Sequence, residues 1–332
     1  MLTTALFSLF VFSISFANAE ERRTYYYVAG FHSHPYFLDM HLGFRYAAEK
    51  LGVNIKKMGP DGWDAKAQAE ALEQAVAKKP DGIITVMWDA SGKPAVKRAM
   101  ANGIPVIVVE ATVPDNGAMA YIGLDNYECG VDTAKEIIAR GGKSGKLVAQ
   151  GNWGASNTDA KFQGLKDYLK ANSKWEIIAK VDDKANTEAS IEAAKSIFNN
   201  YPDVNAIAGL DSSSGSGIGI AMEELNIKPD NLTIVVHDRE DMTLEYIELG
   251  YIDATLINKT ATSAYLSILL LEAYNNANDA GFATIPISGD NVAAKANPFP
   301  RYLYNGTIII DKSNVDKFLA KNIPQYKTKL YK

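Results

Sequence analysis

The sequence predicts an α/β fold with parallel central sheets, built as two similar halves. Two observations carry this reading. Apolar strand-like runs alternate with helical stretches from residue 24 onward, and such alternation means a parallel sheet covered on both faces. The pattern then restarts near Lys146. Pro80-Asp81-Gly82-Ile83 is echoed by Pro202-Asp203-Val204 before Ala206-Ile207, each between a helix and a strand, at a spacing far too long for a solenoid. At 332 residues, 47% hydrophobic and 22% charged, the chain is long enough for two such domains.

The chain opens with an apolar run over 2–16 and the small residues Ala17-Asn18-Ala19. This predicts a secretory signal at 1–19 and an exported, soluble mature protein starting near Glu20. The run is too short for a membrane span. No lipid-attachment cysteine follows it, and no Lys or Arg precedes it, which leaves the position of the true start codon open.

A strand over 24–29 comes next, then a turn at 30–35 and a helix over 38–51 carrying Leu42, Tyr46, Ala47 and Leu51 at helical spacing. Strands follow over 53–58, 83–87, 106–109 and 119–122, with helices over 65–77, 94–101 and 127–139, the last stopped by Gly141-Gly142. The second half reads as strands over 146–150, 175–181 and 206–210 with helices over 159–170 and 188–199. Segments at 218–225, 233–236, 243–249 and 252–257, an Ala/Leu-rich helix at 264–274 and a run at 306–310 complete it.

Composition excludes some functions. A net charge of −5 argues against nucleic acid, which needs clustered Lys and Arg, and the basic tail (Lys321, Lys327, Lys329, Lys332) reads as a solvated end. The single cysteine, Cys129, cannot form an intramolecular disulfide. Gly142-Lys143-Ser144 follows a helix and has Ile137 where a phosphate loop needs glycine. Gly215, Gly217 and Gly219 begin a dinucleotide fingerprint that Met222 breaks. Neither Gly-x-Ser-x-Gly nor His-Glu-x-x-His occurs.

Ligands of open parallel sheets bind at the carboxyl ends of the strands. The turn there after the first strand holds His32, His34, Tyr36 and Phe37. His32 and His34 are expected to alternate on a strand end and so point opposite ways, with one facing the cleft; no Cys pair or Glu supports a zinc site. Trp88 and Trp153 fall at strand ends, where a flat ring suits an apolar ligand face. Glu110, Asp211, Asp238 and Asn258 each end a strand. Asp or Asn at such places also caps the next helix. Four on one edge, with Asn157 and Lys161 at the start of a helix, point instead to fixed partners for ligand hydroxyls.

These residues give a family resemblance. Over essentially the whole mature length the chain resembles the ribose/galactose-type periplasmic sugar-binding proteins of ABC transporters. The matches are His34-Pro35-Tyr36-Phe37, Lys79-Pro80-Asp81-Gly82-Ile83-Ile84, Asn102-Gly103-Ile104-Pro105-Val106, Ile122-Gly123-Leu124-Asp125-Asn126, Val235-Val236-His237-Asp238 and Asp253-Ala254-Thr255-Leu256-Ile257-Asn258. Six such runs in family order are specific for the family, though not for the sugar.

The resemblance implies a type I periplasmic binding protein: two Rossmann-like lobes with parallel sheets, joined by a three-strand hinge that closes on a sugar. By analogy of fold the crossings fall near Asp125, near Asn258 and between Pro286 and Leu303. An N-terminal lobe of 20–124 plus 259–290 and a C-terminal lobe of 125–258 plus 291–332 follow. The resemblance makes Tyr36 and Phe37 aromatic walls and His34 a polar contact. Glu110, Asp238 and Asn258 become hydroxyl contacts, and Lys161 stands where ribose binders have Arg. Asp211 lies beside a position that is usually Asn and here is Leu210.

Two departures keep the ligand open. Glu110 is followed by Ala111 where ribose binders carry Arg, and Lys161 lacks a planar two-pronged grip. A hexose, a pentose or a polyol such as inositol fits equally well. Thr158-Asp159 and Asn305-Gly306-Thr307 with Asn314-Val315 are similar to the autoinducer-2 and rhamnose binders, a second ligand class.

The expected function is capture of a monosaccharide or polyol by hinge closure and delivery to a membrane ABC permease, by a periplasmic monomer without cofactor or metal. The alternative is a sugar or autoinducer-2 sensor presenting its loaded form to a chemoreceptor or histidine kinase. A sugar-responsive repressor would need a DNA-binding unit where the signal peptide stands. A sugar enzyme using His34 and Glu110 as acid and base has no motif behind it.

Overall fold

The structure, a computed structural model, describes residues 22–62, 64–279 and 299–323. The expected signal peptide lies outside them, as do 280–290 of the expected N-terminal lobe.

In the first half, β1 (Thr24–Val28), β2 (Asn54–Met58), β3 (Gly82–Thr85), β4 (Val106–Val109) and β5 (Ala120–Gly123) alternate with α1 (Leu38–Leu51), α2 (Ala65–Ala77) and α3 (Lys93–Ala101), except that no helix separates β4 from β5. The second half runs α4 (Asn126–Gly141), β6 (Ser144–Gly151), α5 (Ser156–Asn172), β7 (Lys174–Asp182), α6 (Thr187–Asn200), β8 (Ala206–Gly209), α7 (Ser212–Glu224), β9 (Thr233–His237), α8 (Asp241–Leu249) and β10 (Ala254–Ile257). Helix α9 (Thr260–Asp279), β11 (Tyr302–Tyr304) and β12 (Ile308–Asp311) follow.

Two sheets result, ordered β11-β5-β4-β3-β1-β2 and β12-β10-β9-β8-β6-β7. All pairings are parallel except β10 with β12, where Leu256 lies opposite Ile309. Strands β3 and β4 are buried throughout, which is why Ile83-Ile84 and Val106–Val109 read as continuous apolar runs. The edge strands β2 and β7 are half exposed and carry Lys56, Lys57, Lys174 and Lys180, charges that discourage pairing with another chain. Among the described residues no helix is long and apolar enough to cross a membrane.

Each sheet is covered on both faces. The first packs Tyr27, Ile84 and Ile107 against Met40, Phe44, Ile268 and Leu271 of α1 and α9, and Ile83 and Val108 against Leu72, Val96 and Ala99 of α2 and α3. The second packs Leu147 and Ala208 against Ile137 and Leu165 of α4 and α5, and Val148 and Ile207 against Ile197, Ile218 and Ile247 of α6, α7 and α8. Helices α4 and α5 meet backbone to backbone: a Cβ on Gly130 would lie 1.8 Å from the Lys161 carbonyl oxygen, and one on Gly164 2.0 Å from that of Tyr127. Only glycine permits this approach.

The chain passes between the sheets after Gly123, after Ile257, and between Tyr304 and Ile308. The expectation for the third passage, between Pro286 and Leu303 with 291 onward in the second lobe, is corrected here. Tyr302–Tyr304 pairs with β5 in the first sheet, Leu303 packs into that core, and Tyr302 and Tyr304 lie against Tyr121. Asn305 ties the three passages together. Its N–H donates to Gly123 O at 3.0 Å, its carbonyl accepts from Lys259 Nζ at 2.6 Å, and its Nδ2 donates to Lys259 O at 3.3 Å.

Candidate functional site

The carboxyl edges of the two sheets face one another across a cleft, and strand order makes β4 and β9 equivalent places in them. The acid after each, Glu110 and Asp238, has a left-handed backbone, with φ of 68° and 70°. That conformation costs a residue with a side chain about 1–2 kcal/mol, so the surroundings must hold it. They do so in parallel ways. Glu110 N donates to Ile122 O at 3.4 Å and Asp238 N to Leu256 O at 2.9 Å. The Glu110 carbonyl accepts from the Tyr121 hydroxyl at 2.8 Å, and the Asp238 carbonyl from Thr255 Oγ1 at 2.5 Å. The neighbouring strand thus fixes both acids at the cleft.

Between the lobes lies a cavity of about 530 Å³, counted out to its open mouth. Phe31, His34, Tyr36, Phe37, Trp88 and Glu110 line it from the first lobe. Asn152, Ala155, Asn157, Thr158, Lys161, Ala185, Asp211, Ser212 and Asp238 line it from the second. The aromatic wall is braced edge to face: Phe31 and Trp88 centroids lie 5.5 Å apart, Tyr36 and Phe37 5.0 Å. The lobes touch at its rim. Ser156 N donates to Trp88 O at 2.9 Å, Ser156 Oγ to Met87 O at 3.1 Å, and Arg239 pairs with Asp39.

The polar groups fall into two kinds, held and unheld. Glu110 Oε2 accepts from Asn258 Nδ2 at 2.6 Å. Burial pushes the Glu110 carboxyl up, while hydrogen bonds from Tyr36 and Asn258 and the charge of Lys161 oppose it. Burial, reinforced by Glu110 and Asp211 and opposed by Lys161, pushes Asp238 up to about 7. Asp211 caps α7 by accepting from Ser213 N at 2.8 Å, and its carboxylate shares a hydrogen bond with the Asp183 carboxyl. Asp183, fully buried, accepts from Ser214 Oγ at 2.6 Å, and burial, the Asp211 charge and the hydrogen bond to Asp211 push it upward. Lys161, 4% exposed, donates to Leu210 O at 3.3 Å. His34 Nδ1 accepts from Tyr36 N at 3.2 Å, and burial lowers the ring's pKa. The hydrogen of the neutral ring is therefore on Nε2, 3.7 Å from Glu240 Oε1.

Of the residues singled out in the sequence, nine share this cavity: His34, Tyr36, Phe37, Trp88, Glu110, Asn157, Lys161, Asp211 and Asp238. Two do not. Trp153 turns back into its own lobe, donating from Nε1 to Val181 O at 2.9 Å and packing on Phe162 with Lys180 Nζ 3.9 Å above its ring. A half-buried indole needs an acceptor, and the β7 backbone supplies one. Asn258 stands behind Glu110 rather than at the cavity wall. The expected alternation of His32 and His34 on a strand is also corrected, since β1 ends at Val28 and both lie in the turn beyond. His34 faces the cleft, while His32 Nε2 donates to Met58 O at 2.8 Å in the first lobe. Phe31, Asn152 and Ser212 were missed, although each follows a strand as the chosen residues do. Among the described residues no cluster of His, Cys, Asp and Glu is arranged to hold a metal ion.

A family model described as a periplasmic binding protein domain matches residues 25–279. The chain belongs to the periplasmic binding protein family. This binding protein is 23% identical over 261 residues to the xylose/arabinose-binding protein XylF of Sulfolobus acidocaldarius, covering 73% of its own length and 63% of that protein's. It is 23% identical over 245 residues to the ribose import binding protein RbsB of Bacillus subtilis, covering 71% and 78%. The crystal structure of a sugar-binding protein of a sugar ABC transporter from Bacillus halodurans matches 89% of this chain and 99% of its own, with a TM-score of 0.78 and 26% identity. The architecture is that of the type I periplasmic sugar-binding proteins.

Proposed function

We propose that this protein captures a monosaccharide or polyol by closing its two lobes and presents the loaded form to a membrane ABC permease. The observation that carries the reading is the cavity between the lobes, walled by aromatic rings and rimmed by acids from both sheets. Tyr36, Phe37 and Trp88 cover the C–H faces of a ring. Glu110, Asp211, Asp238, Asn157 and His34 meet its hydroxyls, Lys161 donates to them, and Asn258 steadies Glu110. A ligand touching both lobes binds the closed form better than the open one and so shifts the population toward closure. The signal-like N-terminus and the kinship with XylF and RbsB support export and a transport role.

A thermal-shift screen over pentoses, hexoses, polyols and autoinducer-2, followed by calorimetry, tests this, because a ligand at a hundred times its Kd adds about 2.7 kcal/mol of apparent stability. Asp238→Ala should weaken the best ligand about tenfold to a hundredfold while the protein stays folded. Unchanged affinity in that variant rejects the site.

A further inference from the structure

The cavity is unbalanced in charge. Glu110, Asp211 and Asp238 line it, and Lys161 is the one cationic side chain among the described residues that does. Glu240 stands at its edge against His34, and Asp183 lies fully buried near Asp211. His34 adds no positive charge, because burial keeps its ring neutral. Arg239, next to Asp238 in sequence, turns away to Asp39 and the Phe318 carbonyl.

Hydrogen bonding singles out one of these acids. Glu110 is held by Asn258, and Asp183 by Ser214. The Asp238 carboxylate, in a residue 8% exposed, receives no hydrogen bond among the described residues. Asp211, also 8% exposed, is held by Ser213 N and by the Asp183 carboxyl. A buried carboxylate without a hydrogen-bond donor is costly, so a ligand that supplies a charged donor gains most at Asp238.

Resting on the reading of the cleft as a polyol site, we propose that its ligand is an amine-bearing polyol ring, an amino sugar or aminocyclitol, whose ammonium sits against Asp238. The ammonium gives the Asp238 carboxylate a charge-assisted hydrogen bond, while the aromatic wall covers the ring and Glu110 and Lys161 take its hydroxyls.

Calorimetry at pH 7 on matched pairs tests this: D-galactosamine against D-galactose, D-glucosamine against D-glucose, and an amino-deoxy-inositol against myo-inositol. The N-acetyl derivatives keep an N–H but lose the charge. At least one amine should bind about tenfold or more tightly than both its hydroxyl parent and its N-acetyl form. Asp238→Asn, which keeps the size of the side chain and removes its charge, should reduce that preference to a few-fold at most, with Asp211→Asn, which retains a good helix cap, as the second variant. Neutral parents binding as tightly as their amines in every pair would overturn the amine assignment and leave the polyol reading standing. No binding by any amine, and none by the wider neutral panel, would overturn both.

Discussion

Asn258 Nδ2 donates to Glu110 Oε2 at 2.6 Å, so the residue that ends β10 of one sheet holds the acid that ends β4 of the other. The contact aims Glu110 across the cleft while Asn258 itself stays out of the cavity. Asn258→Ala should therefore leave Glu110 short of a buried donor and weaken ligand binding about tenfold, from a loss of roughly 1–2 kcal/mol. Calorimetry on the folded variant checks this, and affinity equal to the parent would remove Asn258 from the site.

The pH dependence of the ligand-free protein above neutrality follows from two buried acids. Burial first, then Glu110 and Asp211, raises Asp238 from 3.8 to about 7; burial first, then Asp238 and Asp211, raises Glu240 from 4.5 to about 8. Between those values the folded protein keeps protons that the unfolded chain has released. Raising the pH through this window therefore removes stability. Above pH 7, where the buried histidines are neutral in the folded and the unfolded chain alike, the urea midpoint should fall as the pH is raised to 9, and Glu240→Gln should flatten that fall. A midpoint that rises or stays level contradicts the assignment.

Arg239 and Asp39 join the lobes beside the cleft, each about four-fifths buried at the side chain. A half-screened pair of this kind contributes up to about 1 kcal/mol to the closed form. Asp39→Ala should weaken the best ligand a few-fold and reduce the salt dependence of its affinity, as calorimetry at low and high salt would show.

Helices α6 and α7 cross so closely that a Cβ on Gly217 would lie 2.0 Å from Ser190 Oγ and 2.7 Å from its carbonyl carbon. Gly217→Ala should cost about 1–3 kcal/mol in denaturant unfolding while leaving ligand affinity within a few-fold.

That glycine also shows what could be read in the sequence and what could not. Gly215, Gly217 and Gly219 have the spacing of a nucleotide loop, but they lie within α7, where each makes room for a packed side chain: Thr243, Ser190 and Tyr246. Sequence spacing is the same for both uses, and only the partner distinguishes them. The strands were legible because those covered on both faces, such as β3 and β4, have to be apolar throughout. The acids at their ends were legible because ligand edges follow from sheet direction. The direction of Trp153 was not, because it depends on the Val181 carbonyl of a neighbouring strand. Nor was β11, whose three residues Tyr302–Tyr304 are mostly exposed and carry no periodic pattern.

Closure on a ligand is the claim on which the rest depends. Small-angle scattering of the purified protein, with and without a saturating amount of the tightest ligand from the panel, measures it directly. The account predicts a smaller radius of gyration when the ligand is present. It also predicts that Asp238→Ala, at the same ligand concentration, shows a smaller change or none. Identical scattering with and without a ligand that calorimetry shows to be bound would contradict it.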